Sequence, residues 1–140
     1  MNIPAIRDQL KTNLETVSNI RAHDTVPGSI TPPSGGASAI VVPGSPFVAY
    51  PTVDDDVTEV YFTVTVLTGR ADEKAAQDNL DAFLGASGGA SIRAAIETDA
   101  SVWDFAVVTG IRRYGAFTFG QGDGAVTYLG CEFAVTVGCS

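Results

Sequence analysis

The chain is short of positive charge, of histidine and of long apolar runs, and each shortage excludes something. Eight Lys and Arg stand against sixteen Asp and Glu, giving a formal net charge of −8. That balance argues against a protein that grips nucleic acid through a basic patch. It is compatible with a surface that repels a polyanion and lets it pass. One histidine, His23, cannot build a multi-histidine zinc site within one chain. No stretch approaches the roughly 20 apolar residues that span a bilayer, so no membrane partner is expected. The first residues, Met-Asn-Ile-Pro-Ala-Ile-Arg, lack a basic segment leading into an apolar one, so no secretory signal is read there and a cytoplasmic site of synthesis is expected. Charged residues are only 17% of the chain, against roughly 25% in typical soluble domains. So few charges to cover a surface suggest that part of it is hidden by a partner.

The two cysteines, Cys131 and Cys139, lie eight residues apart in one expected strand. At about 3.3 Å per residue they are roughly 26 Å apart, too far for a disulfide. They are expected to be buried thiols, unless a bend or a second chain brings a partner.

What is present reads as one domain over residues 1–140, long enough to bury a core without a disulfide or metal. Ile3, Ile6, Leu10, Leu14 and Val17 recur every three or four residues, the stripe of an amphipathic helix that Asn2 can cap and Pro4 can open. Ile20 to Thr25 reads as a short strand. Residues 26–51 hold six of the seven prolines and several glycines, so they read as extended pieces joined by turns. Such a segment is either an arm reaching a neighbour or a loop folded over its own core. Thr58 to Thr68 is the clearest strand, with Val60, Phe62, Val64 and Val66 facing one way and Tyr61, Thr63, Thr65 and Leu67 the other.

After Gly69 comes a helix over 71–84, stopped by Gly85, and a second short helix capped by Ser91. Ser34-Gly35-Gly36-Ala37-Ser38 and Ser87-Gly88-Gly89-Ala90-Ser91 are read as flexible joints. Three further strands are expected at 102–112, 114–119 and 126–137, with a hairpin turn at Gln121-Gly122-Asp123-Gly124. Arg112 and Arg113 should point to opposite faces of a strand and make no patch. The fold class is α+β: a mostly antiparallel sheet, an N-terminal helix and a central helix pair packed on one face, and a long Pro/Gly-rich loop.

No assembled active site emerges. His23-Asp24 could form half of a triad, but no Gly-x-Ser-x-Gly elbow supplies a serine. Asp54, Asp55, Asp56 and Glu59 lie in a stretch without Lys or Arg from Thr25 to Gly69. They lack calcium-loop spacing and read as a solvated acidic turn before a strand. Gly120-Gln121-Gly122-Asp123-Gly124 lacks the Gly-Lys-Ser/Thr end of a phosphate loop. No cofactor, metal or enzymatic activity is expected.

Thr65-Val66-Leu67-Thr68-Gly69-Arg70-Ala71-Asp72-Glu73-Lys74-Ala75-Ala76-Gln77-Asp78-Asn79-Leu80-Asp81-Ala82-Phe83-Leu84 resembles the centre of tail terminator proteins of phages with long, non-contractile tails, especially those of actinobacterial hosts. Thr31-Pro32-Pro33, Ser91-Ile92-Arg93-Ala94-Ala95-Ile96-Glu97 and Tyr128-Leu129-Gly130-Cys131-Glu132-Phe133-Ala134-Val135 fit the same pattern. The resemblance implies a virion protein, assembled in the host cytoplasm, that forms a ring, expected to be a hexamer. The ring caps the head-proximal end of the tail tube, stops its growth and meets the neck or head-completion proteins, while genomic DNA passes through its bore. A neck connector, a tail-tube subunit and a small hydrolase using His23 and Asp24 are the alternatives.

On this reading Asp54, Asp55, Asp56 and Glu59 are candidates for the bore. Thr31, Pro32, Pro33, Ile40, Val41, Val42, Phe47 and Tyr50 are candidates for contact with a neighbouring subunit or the tube. Deleting residues 31–37 is expected to leave a folded monomer that cannot assemble.

Overall fold

The computed structural model describes residues 2–25, 32–33, 35–50, 58–70, 74–119 and 126–139. The elements run α1 (Ile3–Glu15), β1 (Ile20–His23), β2 (Ala37–Ala49), β3 (Thr58–Arg70), α2 (Lys74–Phe83), α3 (Ile92–Ile96), β4 (Phe105–Phe119) and β5 (Val126–Cys139). The fold is α+β, with one five-stranded sheet in the order β1-β2-β3-β5-β4. The sheet is mixed: β1 runs parallel to β2, and the other three pairings are antiparallel. β3 lies at its centre.

Strand alternation divides the sheet into two unlike faces. On one face Val60, Phe62, Val64 and Val66 of β3 stand beside Val137, Val135, Phe133 and Cys131 of β5. All of these are buried and share one core with Ile6, Leu10 and Leu14 of α1, Leu80 and Phe83 of α2, and Ile92 and Ile96 of α3. The opposite face carries Tyr61, Thr63 and Thr65 on β3 and Glu132, Ala134 and Thr136 on β5. Its one apolar nucleus is Ile40 and Leu67, with Val42, Phe117 and Tyr128 against them.

Local chemistry explains the helix starts. Asn2 accepts a hydrogen bond from the Ala5 N–H at 3.1 Å, which satisfies an otherwise orphaned donor of α1. Ser91 caps α3 in the same way through Ala94, while its own hydroxyl donates to the Gly85 carbonyl. Thr68 is wholly buried, with its hydroxyl 3.1 Å from the carbonyls of both Ala76 and Leu129. It thereby ties β3 to α2 and β5.

Three expectations change. The proline-rich stretch is not a chain of short pieces throughout: residues 37–49 form one strand inside the sheet. Proline is tolerated because the strand leaves the ladder where the prolines fall, between Pro43 and Val48, around a cis Ser45–Pro46 bond. The two strands expected at 102–112 and 114–119 are one, β4. Its ladder with β5 slips between Val108 and Gly110 and again between Arg112 and Gly115, so two extra residues are absorbed as bulges and the strand continues. Gly36 is no loose joint. A Cβ there would lie 1.8 Å from the Asn19 carbonyl oxygen, so the start of β2 seats directly on the turn after α1.

Cys131 and Cys139 are both free and buried on β5. Burial pushes the Cys131 thiol up to about 12. The turn at 121–124 and the start of the helix at 71–73 lie outside the described residues.

The tight seat at Gly36 generates a prediction. Gly36→Ala forces the Asn19 backbone to move and should cost about 2–3 kcal/mol of stability, read as a lower urea midpoint with an unchanged slope. Loss of residues 31–37 would remove Gly36 together with the fully buried Ala37, which pairs with Ile20. A folded monomer is therefore no longer the expected product of that deletion.

Candidate interaction surface

The residues singled out in the sequence are dispersed. Asp54, Asp55, Asp56 and Thr31 lie outside the described residues. Glu59 sits on β3, on the face away from the helices, and its carboxylate accepts a hydrogen bond from the Tyr61 hydroxyl at 2.5 Å. That bond holds the phenol of Tyr61 above its ordinary pKa.

Ile40 and Val41 are buried within the chain's own sheet, so they are not available to a neighbour. The cause is register: Ile40 pairs with Thr65 and Val41 with Val64, deep in the β2–β3 ladder. Val42 is half-buried against the small second cluster, and Phe47 stacks edge-on against Phe62 at 5.4 Å. Pro32 and Pro33 are half-buried and line a cavity of about 490 Å³ with Arg70, Asn79, Val126 and Tyr128. Of the candidates within the described residues, Tyr50 alone is a large, fully exposed apolar side chain.

Nothing among the described residues gathers three or more His, Cys, Asp or Glu side chains around a common point. His23 is half-buried on β1; burial, then the charges of Arg21 and Lys11, lower its pKa. It lines neither the cavity at Pro32 nor a second one of about 460 Å³ at Tyr61, Thr63 and Arg112. Among the described residues no helix is long and apolar enough to cross a membrane.

The surface feature that does stand out was not singled out in the sequence. Among the described residues the exposed large hydrophobic ones are Phe105 (40%), Val107 (38%), Ile111 (41%) and Tyr114 (44%) on β4, Val126 (36%) on its hairpin partner β5, and Tyr50 (76%). Four of six therefore lie on one strand. Among the described residues that strand is at the end of the sheet and is paired on one side only. Register places Phe105 and Val107 opposite Gly138 and Thr136, on the helix-free face, and Ile111 opposite Phe133, on the helix-bearing face. Both faces of the edge thus present apolar groups. The sequence signal was the alternation in 102–112, which looks the same for a covered strand and an uncovered one.

A charge cluster sits at the middle of this edge. Arg113 occupies a left-handed backbone conformation, with φ 56°, at the second bulge. The bulge turns the two arginines toward the same acid, contrary to the expected opposite orientation. Arg112 Nε lies 3.6 Å and Arg113 Nη1 3.0 Å from the Glu132 carboxylate. The Arg113 guanidinium also lies over the Phe117 ring at 4.6 Å. Two cations share one anion, which leaves a surplus of positive charge on an otherwise acidic chain.

Comparison with protein-family models and with curated proteins found no match.

The edge is tied back to α2 through a side chain. The Tyr114 hydroxyl donates to Asp81 of α2 at 2.7 Å. That hydrogen bond, with lesser contributions from burial and the carboxylate's charge, pushes the phenol up to about 12. The fold favours the neutral phenol. The contact therefore contributes in full below the unfolded value near 10 and is lost as pH rises through about 12. Asp81→Asn should return one phenol's titration toward 10, followed by phenolate absorbance, and the change should be absent in Tyr114→Phe.

Proposed function

We propose that this chain is a virion structural protein that works as a ring at the head-proximal end of a long phage tail. In this reading the ring, a hexamer, caps the tail-tube protein, stops further growth and offers its other side to the neck or head-completion proteins. It takes no cofactor and performs no catalysis. The observation that supports it best is the concentration of exposed apolar side chains on β4, a sheet edge with no outer strand among the described residues. Isolated exposed hydrophobics are ordinary, but several on one edge strand, with Phe105 and Val107 on one face and Ile111 on the other, point to an interaction surface.

The charge balance fits the same reading. A ring through which DNA slides needs a bore that does not hold phosphate, and a net charge of −8 per subunit provides repulsion. Asp54, Asp55, Asp56 and Glu59 are the proposed bore residues, because no Lys or Arg lies near them in the sequence. A ring structure with these carboxylates on its outer rim removes that assignment.

The test is position and assembly together. Purified protein, viewed by negative-stain electron microscopy, should form closed rings of 14.5 kDa subunits instead of filaments. Antibody against the chain should label virions once, at the head–tail junction. Labelling along the whole tail assigns the chain to the tube, labelling above the junction assigns it to the neck, and absence from virions overturns the reading.

A further inference from the structure

We infer that the segment Thr109–Thr118 of β4 is the strand that pairs with a second copy of this chain, through a surface on that copy different from β4 itself. This rests on the ring reading above and names the surface that reading requires.

Four observations converge on this segment. The first is where the edge is closed. Glu97, at the end of α3, accepts a hydrogen bond from the Val108 N–H at 2.9 Å, and Arg93 holds the same carboxylate. A carboxylate seated on an outward N–H occupies the position an incoming strand would need. The edge is therefore capped at Val108 and open beyond it.

The second is the loss of alternation past that point. From Thr109 to Tyr114 every residue is exposed, on both faces of the strand. A strand half-buried in its own protomer alternates, whereas one that extends past its core does not.

The third is the shape of the edge. The ladder with β5 slips at Gly110 and again at Gly115, and glycine within a strand marks such bulges. A Cβ built at either glycine meets nothing within 4 Å, so both bulges lie open. Bulges raise the local twist, so this edge fits only a strand that follows the same twist.

The fourth is charge. β4 holds two of the chain's eight basic residues and none of its sixteen acidic ones. Its partner is acidic, and the remainder of a second copy is strongly so. The same charges disfavour β4 pairing with β4 about a two-fold axis centred on the arginines. That arrangement would set Arg112 and Arg113 of one copy against those of the other, and like charges across a ladder are destabilising. Pairing is therefore head-to-tail, the kind of contact that closes into a ring. Ten residues give a ladder of about 33 Å. Ile111 and Tyr114, the exposed large hydrophobic residues of the segment, are too few to make the roughly 800 Å² per partner of a stable interface, so the backbone ladder is needed to complete it.

The experiment compares the full-length wild type with Ile111→Glu, Ala116→Glu and Tyr50→Ser by sedimentation and negative-stain microscopy over a concentration series. Ile111 and Ala116 are both exposed, so either substitution should leave the melting temperature within about 3 °C of the wild type. Each should nonetheless lower self-association at least tenfold, because it sets a carboxylate on the edge against an acidic partner. Tyr50→Ser, the exposed apolar residue away from the edge, should assemble like the wild type.

Rings formed equally by both edge variants overturn the edge assignment and leave the ring reading intact. Filaments from the wild type, abolished by the edge variants, keep the edge and overturn the ring. A wild type monomeric up to about 1 mM overturns the edge assignment.

Discussion

The structure depends on the register of β3. Val60, Phe62, Val64 and Val66 alternate along the strand and are all but inaccessible. They occupy the middle of the sheet, with β2 on one side and β5 on the other. A slip of one residue would turn Thr63 and Thr65 into the core and expose the four apolar side chains. The register is held from both sides: Val64 faces Val41 on β2 and Phe133 on β5. The core that this face shares with α1, α2 and α3 exists only while that alignment holds.

A sheet centred on β3 must end somewhere, and its two ends are unlike. At one end β1 has four residues, two of them buried against the core. At the other, β4 has fifteen residues and, among the described residues, no outer strand. Long edges are usually blunted by charge, bulges or a covering element. β4 has all three, but in particular places. The carboxylate of Glu97 covers Val108, while the second bulge and the arginines lie further along. These devices discourage indiscriminate edge pairing without covering the strand. They narrow what can dock to a surface that tolerates the local twist and supplies negative charge.

Much of the fold was legible because it follows from period and capping chemistry. The stripe Ile6, Leu10, Leu14 gave α1, Asn2 and Ser91 gave two helix starts, and the alternation in β3 gave the central strand with its correct inner face. The sequence was least informative where backbone geometry departs from an ideal strand. Pro43 and Pro46 read as breakers, yet β2 keeps its place by leaving the ladder only around them. Arg112-Arg113 read as opposed side chains, because two-residue alternation holds only without a bulge, and the bulge depends on a left-handed residue that arginine seldom supplies. Two of the candidate contact residues are buried for a related reason. Ile40 and Val41 are apolar residues in a proline-rich setting, and composition does not say that their strand lies second in the sheet. Exposure at β4 is a property of strand order, which alternation does not encode.

Net charge then sets the terms on which copies of this chain can meet. At −8 per chain, two subunits repel at long range, and only a local complement can outweigh that repulsion. At an ionic strength of 0.1 M charges are screened beyond roughly 10 Å, so the overall repulsion fades with added salt sooner than a contact at 3 or 4 Å. Arg112 and Arg113 are suited to this because they are already fixed. Glu132 and the Phe117 ring hold the guanidinium of Arg113, so little side-chain freedom remains to be lost when a carboxylate approaches. An acidic protein with a preorganised basic edge is attractive to its own kind at one place and repellent elsewhere. In the proposed ring, that combination would favour closure over indiscriminate aggregation and would leave the negative remainder of each subunit to face a passing polyanion.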